Sequence, residues 1–253
     1  MTRKIIYYYQ TFTGLEDILY ESTPVTHIHV SSIHFGLEQN NTPYIHLNNN
    51  KPSDPSFNNL WDELQIAHEL GIRIVLMVGG AGGAFTTLFK DYDTYYKLLH
   101  SFILTQPLIT GIDLDIEEIV DIENVKKLIL QIKTDLPHFT ISMAPVQYAL
   151  QNDEPGMGGF VYKDLFKSDV GKYIDYFNGQ FYMSYTYDAF NQCIQNGYPA
   201  DMIVMGMCGI NNMNDDCREL CKIVSTKNIG GVFLWEYNLK DPYWESTMRN
   251  ILI

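Results

Sequence analysis

Residues 111–117 carry three carboxylic acids at alternate positions, with Asp113, Asp115 and Glu117 separated by apolar side chains. Successive side chains of a β-strand point to opposite faces, so the three carboxyls would share one face at a spacing of about 6–7 Å. Burying such a row is unfavourable unless its members share protons, accept hydrogen bonds or bind a cation. The pattern therefore predicts a site for general acid and base chemistry.

Two other interpretations fit the same residues. The row could be the solvated face of a surface strand, or its oxygens could bind Mg²⁺ or Ca²⁺. The sequence has no second acidic cluster and no glycine at the offset that an EF-hand loop requires, so we predict no metal ion and no cofactor. Glu118 falls on the opposite face and is expected to meet solvent or a neighbouring loop.

The segments around the row alternate between strand-like and helix-like patterns. Runs rich in β-branched and aromatic residues predict about eight strands, at 4–9, 26–33, 72–78, 109–115, 139–144, 176–183, 202–207 and 231–235. Helical spacing falls between several of them, at 60–70, 92–105, 122–134 and 216–225. We predict a minimal (β/α)₈ TIM barrel that forms one domain over residues 1–253, without a large insertion. A doubly wound sheet is the alternative, but no strand is followed by a phosphate-binding glycine loop.

The amino-acid composition limits the kinds of partner that the protein is expected to bind. A formal net charge of −13 with no basic cluster argues against nucleic acid, and the 13% aromatic content suits stacking on sugar rings. Residues 1–7 lack the apolar core of a signal peptide, and no apolar run approaches the roughly 20 residues of a membrane span. We expect an intracellular, monomeric protein without membrane contact, whose four cysteines are reduced. Secretion by a route that needs no signal peptide is the alternative.

The acidic segment resembles the D-G-x-D-x-D-x-E signature of glycoside hydrolase family 18, which includes chitinases. Further segments resemble other strands of that family in the same order: 26–30, 73–80, 143–145, 180–182 and 231–235. Two positions differ from the family pattern. Thr110 replaces the first Asp of the signature, and Met77 replaces a Ser that hydrogen-bonds near the inner Asp, a donor that Met cannot supply.

The resemblance implies a role for each acid of the row. Glu117 would protonate the departing sugar oxygen, and the nucleophile would be the acetamido oxygen of the substrate. Asp115 would hold the acetamido N–H, while Asp113 would share a proton with Asp115. Tyr182 would hydrogen-bond the acetamido carbonyl. The residues predicted to bind substrate are Trp235, Gln180, Tyr8 and Met143, with Tyr8 also supporting the deeper Asp.

The implied function is endo-acting, retaining hydrolysis of β-1,4-linked N-acetylglucosamine in a polysaccharide or oligosaccharide. An endo-β-N-acetylglucosaminidase that acts on N-glycans would use similar carboxylates and is the first alternative. A weakly active or non-catalytic chitin-binding relative is the second. Such lectin-like proteins usually lose the acid, which this sequence keeps as Glu117.

Overall fold

The computed structural model describes residues 3–209 and 213–253, so Met1 and Thr2 of the predicted N-terminal segment lie outside it. Eight parallel strands of this part close into a barrel in the order β1–β2–β4–β5–β6–β7–β8–β9, with β9 pairing back to β1. The predicted (β/α)₈ barrel is confirmed. The strands are β1 (Lys4–Tyr9), β2 (His27–Leu37), β3 (Pro43–Leu47), β4 (Arg73–Gly79), β5 (Ile109–Asp115), β6 (Thr140–Met143), β7 (Tyr176–Gly179), β8 (Ile203–Cys208) and β9 (Gly231–Trp235).

The helices surround the barrel and bury one apolar stripe each against the outer face of the strands. All four predicted helices are present, one with the predicted ends and three with ends shifted by one to three residues, and several shorter helices were not predicted. The helices are α1 (Asn58–Glu69), α2 (Ala84–Lys90), α3 (Tyr92–Thr105), α4 (Ile122–Asp135), α5 (Gln147–Gln151), α6 (Tyr162–Lys167), α7 (Tyr187–Gln195), α8 (Met213–Thr226) and α9 (Trp244–Leu252). None of these described helices has the length and apolar character to cross a bilayer.

The core has two parts, because alternate strand residues point in opposite directions. Outward side chains such as Ile112 and Leu114 are fully buried beneath the helices. Inward side chains form a smaller apolar cluster inside the barrel, made of Ile6, Tyr8, Met77, Tyr176, Val204 and Phe233. This inner cluster supports polar groups at the carboxyl ends of the strands.

A bulge in β2 changes which side chains face inward. Val30 pairs with Leu76 and Ile33 pairs with Val78, so β2 has one residue more than β4 over this interval. Before the bulge the inward residues have odd numbers, and after it they have even numbers. The prediction ended this strand at residue 33, whereas β2 continues to Leu37 and forms an antiparallel hairpin with β3.

Candidate active site

Strand β5 carries the acidic row of Asp113, Asp115 and Glu117 to the carboxyl end of the barrel. Its apolar residues face the helices, as the alternation predicts, so Asp113 and Asp115 point inward. Asp113 is fully buried, Asp115 is 6% exposed, and Glu117 is half-buried just beyond the strand. The row therefore runs from the barrel interior towards solvent. Within residues 3–209 and 213–253, no group of three His, Cys, Asp or Glu side chains has the arrangement of a metal site.

Asp113 is stabilised as a carboxylate. Its Oδ2 accepts a 2.7 Å hydrogen bond from the Tyr8 hydroxyl, and its Oδ1 accepts bonds from Ser142 Oγ at 2.5 Å and Asn178 Nδ2 at 3.1 Å. Nδ1 of His29 lies 3.5 Å from Oδ2. Burial alone would raise the pKa of Asp113, but the neighbouring His29 imidazole and the hydrogen bonds donated to the carboxylate outweigh burial and lower that pKa below its ordinary value.

The pKa of Asp115 shifts in the opposite direction from that of Asp113. Burial, followed by the negative charges of Glu117, Asp113 and Glu118, raises the pKa of Asp115 well above its ordinary value. Gln180 Nε2 donates to Asp115 Oδ1 at 3.3 Å and to the Ala144 carbonyl at 2.9 Å. Two neighbouring inward carboxyls thus differ in proton affinity, and a proton shared between them favours Asp115 over Asp113.

Glu117 is suited to donate a proton. Burial raises the pKa of Glu117, the charge of Glu118 raises it further, and a hydrogen bond from Gln180 opposes both effects. The protonated form of Glu117 is therefore favoured relative to that of an exposed glutamate.

The upper part of the row opens into a cavity of about 330 Å³, which we call the acidic cavity. Of the residues predicted to contact substrate, Tyr182, Gln180 and Trp235 line it together with Asp115 and Glu117. Burial, followed by the charge of Asp115, raises the pKa of Tyr182, so the hydroxyl keeps its proton. The other lining residues are Gln10, Ser32, His34, Met77, Gly79, Gly80 and Ala81.

Two residues predicted to bind substrate lie elsewhere. Tyr8 sits beneath the cavity, where it hydrogen-bonds Asp113 and packs 5.5 Å from the Trp235 ring, measured between ring centroids. Met143 is in the outer core and has no exposed surface. Because Ser142 points inward to Asp113, its neighbour Met143 must point outward. The prediction that Met143 contacts substrate is wrong.

The two departures from the family pattern also have definite positions. The Thr110 hydroxyl donates to the Ile74 carbonyl, and the side chain borders a separate depression with His68 and His138. Met77 lines the acidic cavity. Met77 supplies no donor, as its side chain predicts, and Ser142 donates to Asp113 from the neighbouring strand instead.

Sequence reasoning missed several lining residues for one physical reason. Ser32 and His34 reach the acidic cavity only because the β2 bulge reverses the alternation, and an extra residue inside a β-rich run leaves no local signal. Gly79 lies where β4 approaches the backbone of β5 closely. It has φ +101°, and a Cβ atom there would lie 2.2 Å from the Asp115 carbonyl oxygen, so this position requires glycine.

Glu118 does not simply face solvent. Its Oε1 accepts hydrogen bonds from the backbone N–H groups of Phe85, at 2.5 Å, and Thr86, at 3.2 Å. The side chain therefore joins the loop after β5 to the first turn of α2. The negative charge of Glu118 also raises the pKa of Glu117.

Replacing Glu118 by Gln is expected to lower the pKa of Glu117, because the negative charge that raises this pKa is removed. A glutamine can still accept the two backbone hydrogen bonds, so the loop should keep its position. Carboxyl ¹³C NMR of Glu117 across a pH titration measures the change. Asp121→Asn is the control, since Asp121 accepts a hydrogen bond from its own helix. An unchanged Glu117 titration in Glu118→Gln would contradict the prediction.

Comparison with solved structures reveals proteins that are similar to this chain. No protein-family model and no curated protein sequence matches the chain at a significant level. A fungal endo-β-N-acetylglucosaminidase from glycosyl hydrolase family 18 has a TM-score of 0.87 and 28% identity, with 98% of each chain covered. The chitinase ChiC of Aspergillus fumigatus has a TM-score of 0.87 and 26% identity, covering 98% of this chain and 99% of that one.

A third solved structure shares the fold at lower identity. The chitinase-like agglutinin of Robinia pseudoacacia has a TM-score of 0.69 and 13% identity over 98% of this chain and 99% of that chain. This chain matches the two fungal enzymes over nearly its full length. Its own barrel carries an inward acidic row on β5. The chain has the barrel of glycoside hydrolase family 18 and is similar over nearly its full length to chitinase-like members of that family.

Proposed function

We propose that this protein hydrolyses β-linked N-acetylglucosamine glycans, with Glu117 as general acid and base and the substrate's acetamido group as nucleophile. One observation supports this assignment above the others. The acidic row combines an ionised inner carboxyl at Asp113, a proton-holding carboxyl at Asp115 and a half-buried acid at Glu117 beside a cavity. Cleavage of a glycosidic bond requires an acid for the departing oxygen and negative charge near the cationic sugar centre.

The reaction begins when Glu117 gives its proton to the glycosidic oxygen. The bond between that oxygen and the anomeric carbon breaks as the acetamido carbonyl oxygen attacks the same carbon. The product of this step is a cyclic oxazolinium ion, and the leaving sugar departs with a new hydroxyl. Glu117, now a carboxylate, takes a proton from water, and the oxygen of that water opens the ring.

Asp115 stabilises the ring that forms. When the shared proton moves from Asp115 to Asp113, the Asp115 carboxylate accepts the acetamido N–H and offsets the positive charge of the oxazolinium ion. Tyr182 is a protonated donor on the same cavity and would bond the acetamido carbonyl oxygen. Trp235 provides an aromatic face for the pyranose ring.

The substrate is tested directly by product analysis. The protein is incubated with N-acetylglucosamine oligomers and, separately, with a high-mannose glycoprotein, and products are identified by mass spectrometry. Shortened oligomers would assign a chitinase, and a released glycan that leaves one N-acetylglucosamine on the protein would assign an endo-β-N-acetylglucosaminidase. The two fungal structures differ by only 2% in identity to this chain, 28% against 26%, and so do not separate these outcomes. Binding without products would indicate a lectin-like protein.

Two inversions at one carbon predict that the first product keeps the β configuration. Early proton NMR spectra of digests of N-acetylglucosamine oligomers should show the β anomer, and a thiazoline analogue of the oxazolinium ion should inhibit competitively. Cello-oligosaccharides, which lack the acetamido group, are the matched control and should remain intact. Initial α product, or equal cleavage of both oligomers, would contradict participation of the acetamido group.

A further inference from the structure

A buried histidine lies directly beneath the acidic row. His29 on β2 has no exposed surface and points into the barrel. Its Nδ1 lies 3.5 Å from Asp113 Oδ2, and its Nε2 lies 3.2 Å from the Tyr176 hydroxyl on β7. It is not one of the residues lining the acidic cavity, so it would act on substrate only through Asp113.

The surroundings determine which ring nitrogen carries the proton. An ionised Asp113 can only accept, and an unprotonated Nδ1 would direct a lone pair at the carboxylate. Nδ1 has no hydrogen-bond partner in the described part of the chain, so a proton on it points to Asp113 alone. The Tyr176 hydroxyl can then donate to Nε2, which fixes this tautomer.

Other titratable groups face the imidazole from three strands. Besides Asp113, they are Tyr8 on β1, with ring centroids 4.8 Å apart, Tyr176 on β7, and His27 on the same strand, with ring centroids 6.5 Å apart. Lys4 and Arg73 lie beyond His27, where their charges act on the His27 ring. Asp113 is thus the carboxylate that His29 contacts in the described barrel interior.

We propose that His29 is a positioning residue for the acidic row, which holds Asp113 ionised through the proton on Nδ1 and thereby keeps the shared proton on Asp115 until sugar binds. Met77 leaves no donor at its own position, and His29 together with Ser142 supplies polar support to Asp113 from the two sides of the barrel. The effect of His29 on turnover rests on the proposed hydrolase function. The tautomer of His29 and its contact with Asp113 are independent of the proposed hydrolase function.

Removing His29 should change protonation more than sugar binding. Without it, Asp113 loses a stabilising partner while remaining buried, so the pair binds its second proton at higher pH. Doubly protonated, the pair has no carboxylate to accept the acetamido N–H, and turnover falls. The acidic limb of the kcat profile should therefore move upward by about one pH unit in His29→Leu. KM should stay within about twofold, since the ring does not line the cavity.

Two further variants isolate this effect. His29→Asn places a neutral amide donor near the position of Nδ1 and should return the limb most of the way to the wild-type value. His27→Leu removes a neighbouring buried imidazole that does not contact Asp113, and should leave the limb unchanged. An identical acidic limb in His29→Leu, His27→Leu and wild type would overturn the proposal.

A measurement on the wild-type protein covers the case in which the His29 variants do not fold. With ¹⁵N-labelled histidine, NMR should show a proton on His29 Nδ1, and Asp113→Asn should shift that resonance more than either nitrogen of His27. An unprotonated Nδ1 would overturn the proposal. If wild-type protein cleaves none of the glycans tested, the proposed hydrolase function fails, while this spectrum still decides whether His29 pairs with Asp113.

Discussion

Glu117→Gln is expected to reduce hydrolysis by about 10²–10⁴-fold, the usual contribution of a general acid. The amide keeps the shape of the side chain and its hydrogen bonding but has no transferable proton. Binding should largely persist, because Trp235, Tyr182 and Asp115 still line the cavity. Calorimetric affinity for an N-acetylglucosamine oligomer should stay within about tenfold of wild type, or about 1.4 kcal/mol.

Glu118→Gln is the matched control for this loss. It makes the same side-chain replacement one residue away, but the side chain bonds the backbone of α2 and does not line the acidic cavity. Its maximal turnover should remain within a few-fold of wild type. Full activity in Glu117→Gln would assign the acid to another residue. Equal binding with no activity in either protein would indicate the lectin-like alternative.

Asp115→Asn is expected to lower kcat by about 10²–10³-fold, comparable to removing one electrostatic group that stabilises a transition state. The amide cannot offset the charge of an oxazolinium ion. The folded protein should nevertheless be more stable than wild type at neutral pH. Burial raises the pKa of Asp115 above its unfolded value, so its contribution to stability becomes less favourable as pH rises from the unfolded pKa towards the folded one.

Asp113→Asn should change stability in the opposite direction. The pKa of Asp113 is lowered in the folded protein, so its favourable contribution is present above the unfolded pKa and is lost as pH falls through the folded pKa. Thermal unfolding at neutral pH measures both variants. A higher Tm for Asp115→Asn beside a lower Tm for Asp113→Asn is the expected pair. A lower Tm for Asp115→Asn would attribute its lost activity to damaged folding.

The sequence predicted the parts of the site that depend on regular alternation. The three acids of the row were assigned to one face, and five strands around them follow the order of a known family. Tyr182 and Gln180 line the acidic cavity although β7 ends at Gly179, because an isolated bridge between Val146 and Gln180 continues its direction.

The sequence-based predictions failed where the alternation of inward and outward side chains along a strand is broken, or where the sequence does not show which face a given residue occupies. For Met143, the match to a family strand gave the position but not the face, which is fixed by Ser142 bonding to Asp113. Strand β3 was missed because it is five residues long and begins with Pro43, which gives it little β-strand signal. The partners of Asp113 come from β1, β2, β6 and β7, and contacts between such distant segments leave no local pattern.

The bulged extension of β2 also affects the thermodynamics of ligand association. Ser32 and His34 belong to a strand paired on one side with β3, where Asn48 Oδ1 accepts the Ser32 N–H and Asn48 Nδ2 donates to the Gln10 carbonyl. This wall of the cavity is therefore pre-organised by backbone pairing. Little protein conformational entropy is lost when a ligand meets it, and the entropic cost of binding falls mainly on the torsions of the glycan. A stiff, already extended oligosaccharide would lose the least.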